Sequence, residues 1–199
     1  FVFTQFNVGI KCFQSNGGGE FMSKQFSEFL KLKGIHHMIS YPYTSQQNGL
    51  VERKHRHIIE TIVTLMTAAH LTPDWWFHTC AYSVFLINRM PCKTLNMQSP
   101  YRLLFGVVPS IHGLKKYGTT IYPYVRPYND NKLQPRVVLC IFLGYANGYK
   151  GVIYYHPQTR EFIISRHVIY NEDLFPCKSS SGISKDQFLE KLQKSQGVS

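Results

Sequence analysis

Two polar segments carry residue types suited to metal-ion and phosphate chemistry. Ser15-Asn16-Gly17-Gly18-Gly19-Glu20-Phe21 follows an apolar run, and Tyr43-Thr44-Ser45-Gln46-Gln47-Asn48-Gly49-Leu50-Val51-Glu52-Arg53 opens a long helical pattern. Glu52 follows Asn16 by 36 positions. A polar group at a strand end and a carboxylate in the first turns of a helix can bring oxygen donors together around divalent cations. Such cations activate an attacking oxygen and stabilise the leaving one in phosphoryl transfer. Glu52 also fits a plainer role, an acid complementing the positive end of the helix dipole. Arg53, Lys54 and Arg56, with His55 and His57, read either as a solvated helix face or as contacts to nucleic-acid phosphates. Arg56 shares the face of Glu52 at i+4. Gln46, Gln47 and Asn48 precede the helix as a polar loop able to contact nucleic acid.

The elements that must position these groups are legible as periodicities. Ile10–Gln14 reads as a strand, ending in the glycine turn. Ser23 caps a helix to about Lys33, with Phe26, Phe29, Leu30 and Leu32 as a broad apolar face and Gly34 as its stop. Ile35–Ile39 reads as a second strand, on which His36 and His37 point to opposite faces and so do not share a metal. The long helix spans about Asn48–Ala69, its apolar positions spaced by three and four. Thr72-Pro73-Asp74 starts an aromatic helix that carries Trp75 and Trp76 and stops before Pro91; Ser99-Pro100 starts a short one over Tyr101–Phe105. After Gly113 the pattern becomes short β runs: Ile121–Val125, Val137–Tyr145, Val152–His156, Phe162–Ser165 and His167–Tyr170. Their spacing predicts a small barrel.

Composition bounds the remaining choices. The chain has 199 residues, 44% of them hydrophobic, enough for packed cores. No apolar run reaches the ~20 residues of a membrane span, so no membrane partner is expected. Phe1–Gly9 lacks the features of a signal peptide, and the opening in mid-pattern predicts a fragment of something longer. Five widely spaced cysteines argue against a disulfide framework or a zinc site and for a reducing, intracellular setting. A net charge of +11 points to a polyanionic partner, although the charge is spread along the chain and also fits an ordinary basic protein.

In this order and spacing the motifs resemble the integrase of copia-type LTR retrotransposons. The resemblance runs through residues 10–176 and includes Asn88-Arg89-Met90-Pro91. It continues through Lys132-Leu133-Gln134-Pro135-Arg136, Cys140-Ile141-Phe142-Leu143-Gly144-Tyr145, Tyr155-His156-Pro157 and Ser165-Arg166-His167-Val168, to Phe175-Pro176. It implies an α/β fold, with an RNase H-like integrase core over about 1–110 and an SH3-like β-barrel over 115–176; residues 177–199, polar and rich in Ser, Lys and Gln, read from composition as a linker or tail. It also implies DNA and further integrase copies as partners, a nuclear location, no small-molecule substrate and a Mg²⁺-dependent polynucleotidyl transfer.

The departures from that pattern bear on activity. The resemblance places a first catalytic Asp upstream of residue 1 and a second at Asn16, which leaves Glu52 as the one matching acid. Magnesium prefers anionic oxygen. A neutral amide at position 16 therefore predicts a weak or lost metal site at Glu52 and no strand transfer. Glu20 reads as a structural or capping group rather than a substitute ligand. The basic residues Lys132, Arg136, Lys150, Arg160 and Arg166 fit either non-specific DNA contact or a merely soluble barrel. A non-catalytic DNA-binding or assembly module, or a relic without a selected role, is the alternative to an enzyme.

Overall fold

The computed structural model describes residues 2–41, 49–124 and 138–178. These form two compact units, Phe1–His57 and Ile58–Ser199.

In the first unit, helix α1 (Val2–Phe6) is followed by β1 (Cys12–Ser15), α2 (Lys24–Leu32) and β2 (His36–Ile39). The two strands pair in parallel, Cys12 opposite His36 and Ser15 opposite Ile39, with α2 as the crossover. The expected caps are in place. Ser23 Oγ accepts from the Phe26 amide at 3.3 Å, and Gly34 takes the left-handed conformation (φ +65°) that lets the chain reverse into β2. The apolar face of α2 is narrower than its pattern predicts. Leu30 is buried, whereas Phe29 and Leu32 are exposed. The aromatic contacts gather instead around Phe13, Phe21 and Phe26, with His37 edge-on to Phe26 at 5.9 Å. His36 is exposed, so the two histidines do face opposite ways.

Helix α3 (Gly49–Ala69) begins in the first unit and ends in the second, where Ile62, Met66 and Ala69 are its buried stripe. The next helix does not begin as its sequence predicts. Pro73–Trp75 forms a 3-10 turn, and Thr72 Oγ1 donates to the Asp74 carboxylate at 3.1 Å instead of capping the backbone. Helix α4 (Trp76–Arg89) then follows. Helix α5 (Pro100–Phe105) is capped by Ser99, whose Oγ accepts from the Arg102 amide at 3.2 Å.

Among the described residues, five antiparallel strands follow: β3 (Thr120–Pro123), β4 (Cys140–Tyr145), β5 (Val152–His156), β6 (Glu161–Ser165) and β7 (Val168–Asn171). Their spatial order is β6-β5-β4-β3-β7, an arrangement consistent with an SH3-like domain. A bulge between Phe142 and Gly144 bends β4, with Gly144 at φ +123°. Of the expected first and second barrel strands, Val125 and Val137 lie outside the described residues.

Helices and sheet share one core. Ala69, Leu71, Trp75 and Tyr82 pack with Ile121, Cys140, Ile141, Phe142, Leu143, Tyr154 and Tyr155. The change from helical to β pattern after Gly113 lies inside the second unit. Cys177, which composition assigns to the polar tail, is buried in the same core, and residues 179–199 of that tail lie outside the described residues. Polar side chains inside find partners, as Thr79 Oγ1 does with the Trp75 carbonyl at 2.9 Å and the Tyr117 hydroxyl at 2.8 Å.

One buried group ties this core to pH. His156 ends β5, and its Nδ1 accepts from the Thr159 amide at 3.2 Å across the turn into β6. Burial holds its pKa below the ordinary value, with Glu161 pulling weakly the other way. In the unfolded chain the imidazole titrates near ~6.5, so acidification protonates the unfolded state before the folded one. The stability associated with neutral His156 is therefore full above that pH and falls as pH drops through it. Urea midpoints at pH 7.5 and 5.5 should differ in that direction, and the difference should shrink in His156→Gln. An unchanged difference would remove His156 as its source.

Candidate functional site

Asn16 sits at the carboxyl end of the parallel pair β1–β2. Ser15, the last residue of β1, is buried. Its carbonyl accepts from both the amide (2.9 Å) and the hydroxyl (2.8 Å) of Ser40, just past the end of β2. Its own Oγ donates to the Asn16 carbonyl at 2.9 Å and lies 2.8 Å from His37 Nε2. Asn16 therefore leaves the sheet from a doubly clamped residue, at the strand end where open α/β folds present ligand-binding groups.

The Asn16 side chain is exposed, and its Oδ1 accepts from the Gly18 amide at 3.2 Å, closing a local turn. Glu20 lies against the same loop. A Cβ added at Gly18 would sit 2.8 Å from both Glu20 carboxylate oxygens, so the glycine leaves that side chain room to fold back. Ser23 Oγ also donates to the Glu20 carbonyl at 3.4 Å. Glu20 thus stands as part of the turn that leads into α2.

Glu52 lies in the first turn of α3, followed along the helix by Arg53, Lys54 and Arg56, all exposed. The Arg53 guanidinium folds back toward the helix start, its Nη1 3.4 Å from where a Cβ on Gly49 would stand. Gln46, Gln47 and Asn48 lie outside the described residues, as do Lys132 and Arg136. Lys150, Arg160 and Arg166 are exposed on the turns around β5 and β6.

The donor chemistry does not fit a two-metal centre. Asn16 brings no charge, and its oxygen is engaged by Gly18. Among the described residues no group of three or more His, Cys, Asp or Glu side chains stands ready to hold a metal ion. No cysteine nucleophile offers an alternative in the core, because burial pushes the Cys140 and Cys177 thiols up to about 12.

One feature of the second unit is absent from the site residues expected from sequence. Arg89, in the Asn-Arg-Met-Pro motif, has its guanidinium carbon 3.4 Å from the Phe85 ring centroid and 4.9 Å from that of Tyr101. Its Nη1 donates to the Phe85 carbonyl at 3.1 Å. The available signals were the motif itself and the lack of any acid between Asp74 and Asp130.

Residues 119–183 match the family model described as the retroviral polymerase SH3-like domain. The chain is 41% identical over 172 residues to the retrovirus-related Pol polyprotein from transposon RE1 of Arabidopsis thaliana, covering 86% of this chain. It is 38% identical over 184 residues to that from transposon RE2 of the same plant, covering 92%. A third relative, from transposon TNT 1-94 of Nicotiana tabacum, is 31% identical over 163 residues, covering 82%. The match spans 12% of the length of each of these polyproteins. Among solved structures, a chain of the simian T-cell lymphotropic virus intasome in complex with the PP2A regulatory subunit B56 gamma aligns with a TM-score of 0.41 and 16% identity. That alignment covers 82% of this chain and 56% of the other, a likeness too distant to bear on function.

Proposed function

We propose, from a chain that belongs with the retrovirus-related Pol polyproteins of copia-type transposons and is an integrase-type fragment of one, that it binds DNA and does not itself carry out strand transfer. An RNase H-like core for the first unit is part of this reading, supported by the parallel β1-α2-β2 crossover with Asn16 at its carboxyl end. The observation that carries the loss of catalysis is Asn16 itself. A neutral side chain commits its oxygen to the Gly18 amide at the position where the resemblance expects a metal-binding aspartate. Bound magnesium would supply Lewis-acid activation in the family, and Asn16 with Glu52 is a poor host for it. On the same premise the protein acts in the nucleus beside further copies of its kind.

The DNA half of the reading rests on exposed Arg53, Lys54 and Arg56 and on the net charge of +11. Duplex affinity, read by fluorescence anisotropy across a salt series, should fall linearly on log–log axes. Replacing these three residues by glutamine should flatten the slope by about 0.9 for each phosphate no longer neutralised. Affinity indifferent to salt would refute phosphate binding. Mg²⁺-dependent strand transfer by the unaltered chain would refute the loss of catalysis.

A further inference from the structure

Arg89 stands on the wall between two recesses in the second unit, each of about 550 Å³. The first runs between α4, α5 and the β4–β5 pair, and its lining is chiefly carbon: Phe85, Tyr101, Leu104, Leu143 and Ile153 among others. The second adds Arg102 and His112. No Asp or Glu lines either one, and the sequence has none between Asp74 and Asp130. Around the openings the apolar surface continues over Leu103, Phe105, Val107 and Val108, each more than half exposed.

Three features narrow the ligand. A guanidinium has five N–H donors, and the bond to Phe85 uses one of them. Packing between Phe85 and Tyr101 fixes its plane beforehand, which lowers the entropy cost of pairing with a carboxylate. Burial lowers its pKa, the sign of a cation held partly out of water without full compensation. A nucleic-acid backbone would need a charged, solvated track, whereas this lining is apolar with its cations gathered at one wall. Large exposed apolar patches with a polar rim are features of protein-binding surfaces.

We propose that the paired recesses bind a short acidic-hydrophobic segment of a partner protein, seating a leucine or aromatic side chain in the first and an adjacent carboxylate on Arg89 and Arg102. The site uses none of the α3 residues proposed above to contact DNA, and it adds a protein ligand to that reading.

A heptapeptide phage library panned on the whole chain tests this. Selected sequences should combine Leu, Phe or Trp with Asp or Glu within a few positions. The corresponding synthetic peptides, measured by anisotropy, should bind about tenfold or more weakly to Arg89→Leu, and neutralising the peptide's acid should have a similar effect. Ala81 is exposed on the wall of the first recess, so Ala81→Trp should block binding while leaving Arg89 in place. Circular dichroism confirms that each variant is folded. Selection without an acidic-apolar consensus, or consensus peptides that bind Ala81→Trp as tightly as the parent, overturns the proposal. It is equally overturned if duplex DNA, rather than peptide, loses affinity in both variants.

Discussion

Replacing Gly118 by valine is expected to destabilise the second unit strongly. Gly118 has φ +76°, and a Cβ there would lie 2.4 Å from the Cβ of Ala69 at the end of α3. A left-handed backbone costs a non-glycine residue about 1–3 kcal/mol, and a β-branched one is the worst suited. Forcing extra carbon into a packed contact adds about 1–3 kcal/mol. Together these come to about 2–6 kcal/mol, a large share of the ~5–15 kcal/mol that holds a typical domain. The loop cannot drift away from the clash. The Gly118 amide donates to the Phe142 carbonyl at 2.9 Å, and the Phe142 amide to Thr119 at 2.9 Å, so the segment is stitched to β4. Urea unfolding followed by circular dichroism should show the loss. Gly148 offers the control: it has φ +78° but nothing within 4 Å of an added Cβ, so Gly148→Ala should cost only the backbone part. Ala69→Gly combined with Gly118→Ala should recover part of the single-variant loss, because the two residues touch. A Gly118→Val protein as stable as the parent would show that the approach of α3 to this loop is wrong.

Trp75→Ala is the second large effect expected. The residue is 1% exposed and meets Tyr155 edge-on at 5.0 Å between ring centroids. Truncation leaves a cavity between the 3-10 turn and β5, at a cost of about 3–5 kcal/mol. Its neighbour Trp76 is 58% exposed, and Trp76→Ala should change stability by no more than about 0.5 kcal/mol. The two variants differ by one position and should differ several-fold in cost. Equal costs in a denaturant titration would mean that the core is not anchored by Trp75.

The contrast between the tryptophans also shows what the sequence made legible. Capping chemistry is local, so Ser23, Ser99 and Gly34 marked helix ends correctly. Short β-rich runs set between turns located the five strands to within a few residues. Burial is not local. An aromatic run predicts that something in Trp75–Phe77 is buried, but the 3-10 turn over Pro73–Trp75 sets which ring faces the sheet. The same limit applies to packing across the segment near Gly113. The change from helical to β pattern after Gly113 is real, yet Tyr82 stacks on Tyr117 at 5.2 Å and meets Phe142 edge-on at 5.8 Å, contacts across 35 and 60 positions that no window of sequence displays. At the site, the types and spacing of Asn16 and Glu52 were readable, whereas the engagement of Asn16 Oδ1 by Gly18 was not. Arg89 was visible as a motif, but its place between two aromatic rings emerges only when α4 and α5 are set side by side.

That small turn at Asn16 carries a consequence for how such a chain changes over time. The Gly18 amide needs an oxygen two residues back, and an aspartate offers one as readily as an asparagine does. Exchange between the two leaves the backbone, the clamp at Ser15 and Ser40 and the buried side chains as they are. The turn therefore does not discriminate between the two residues, and selection on the chemistry itself is what would keep an acid in place.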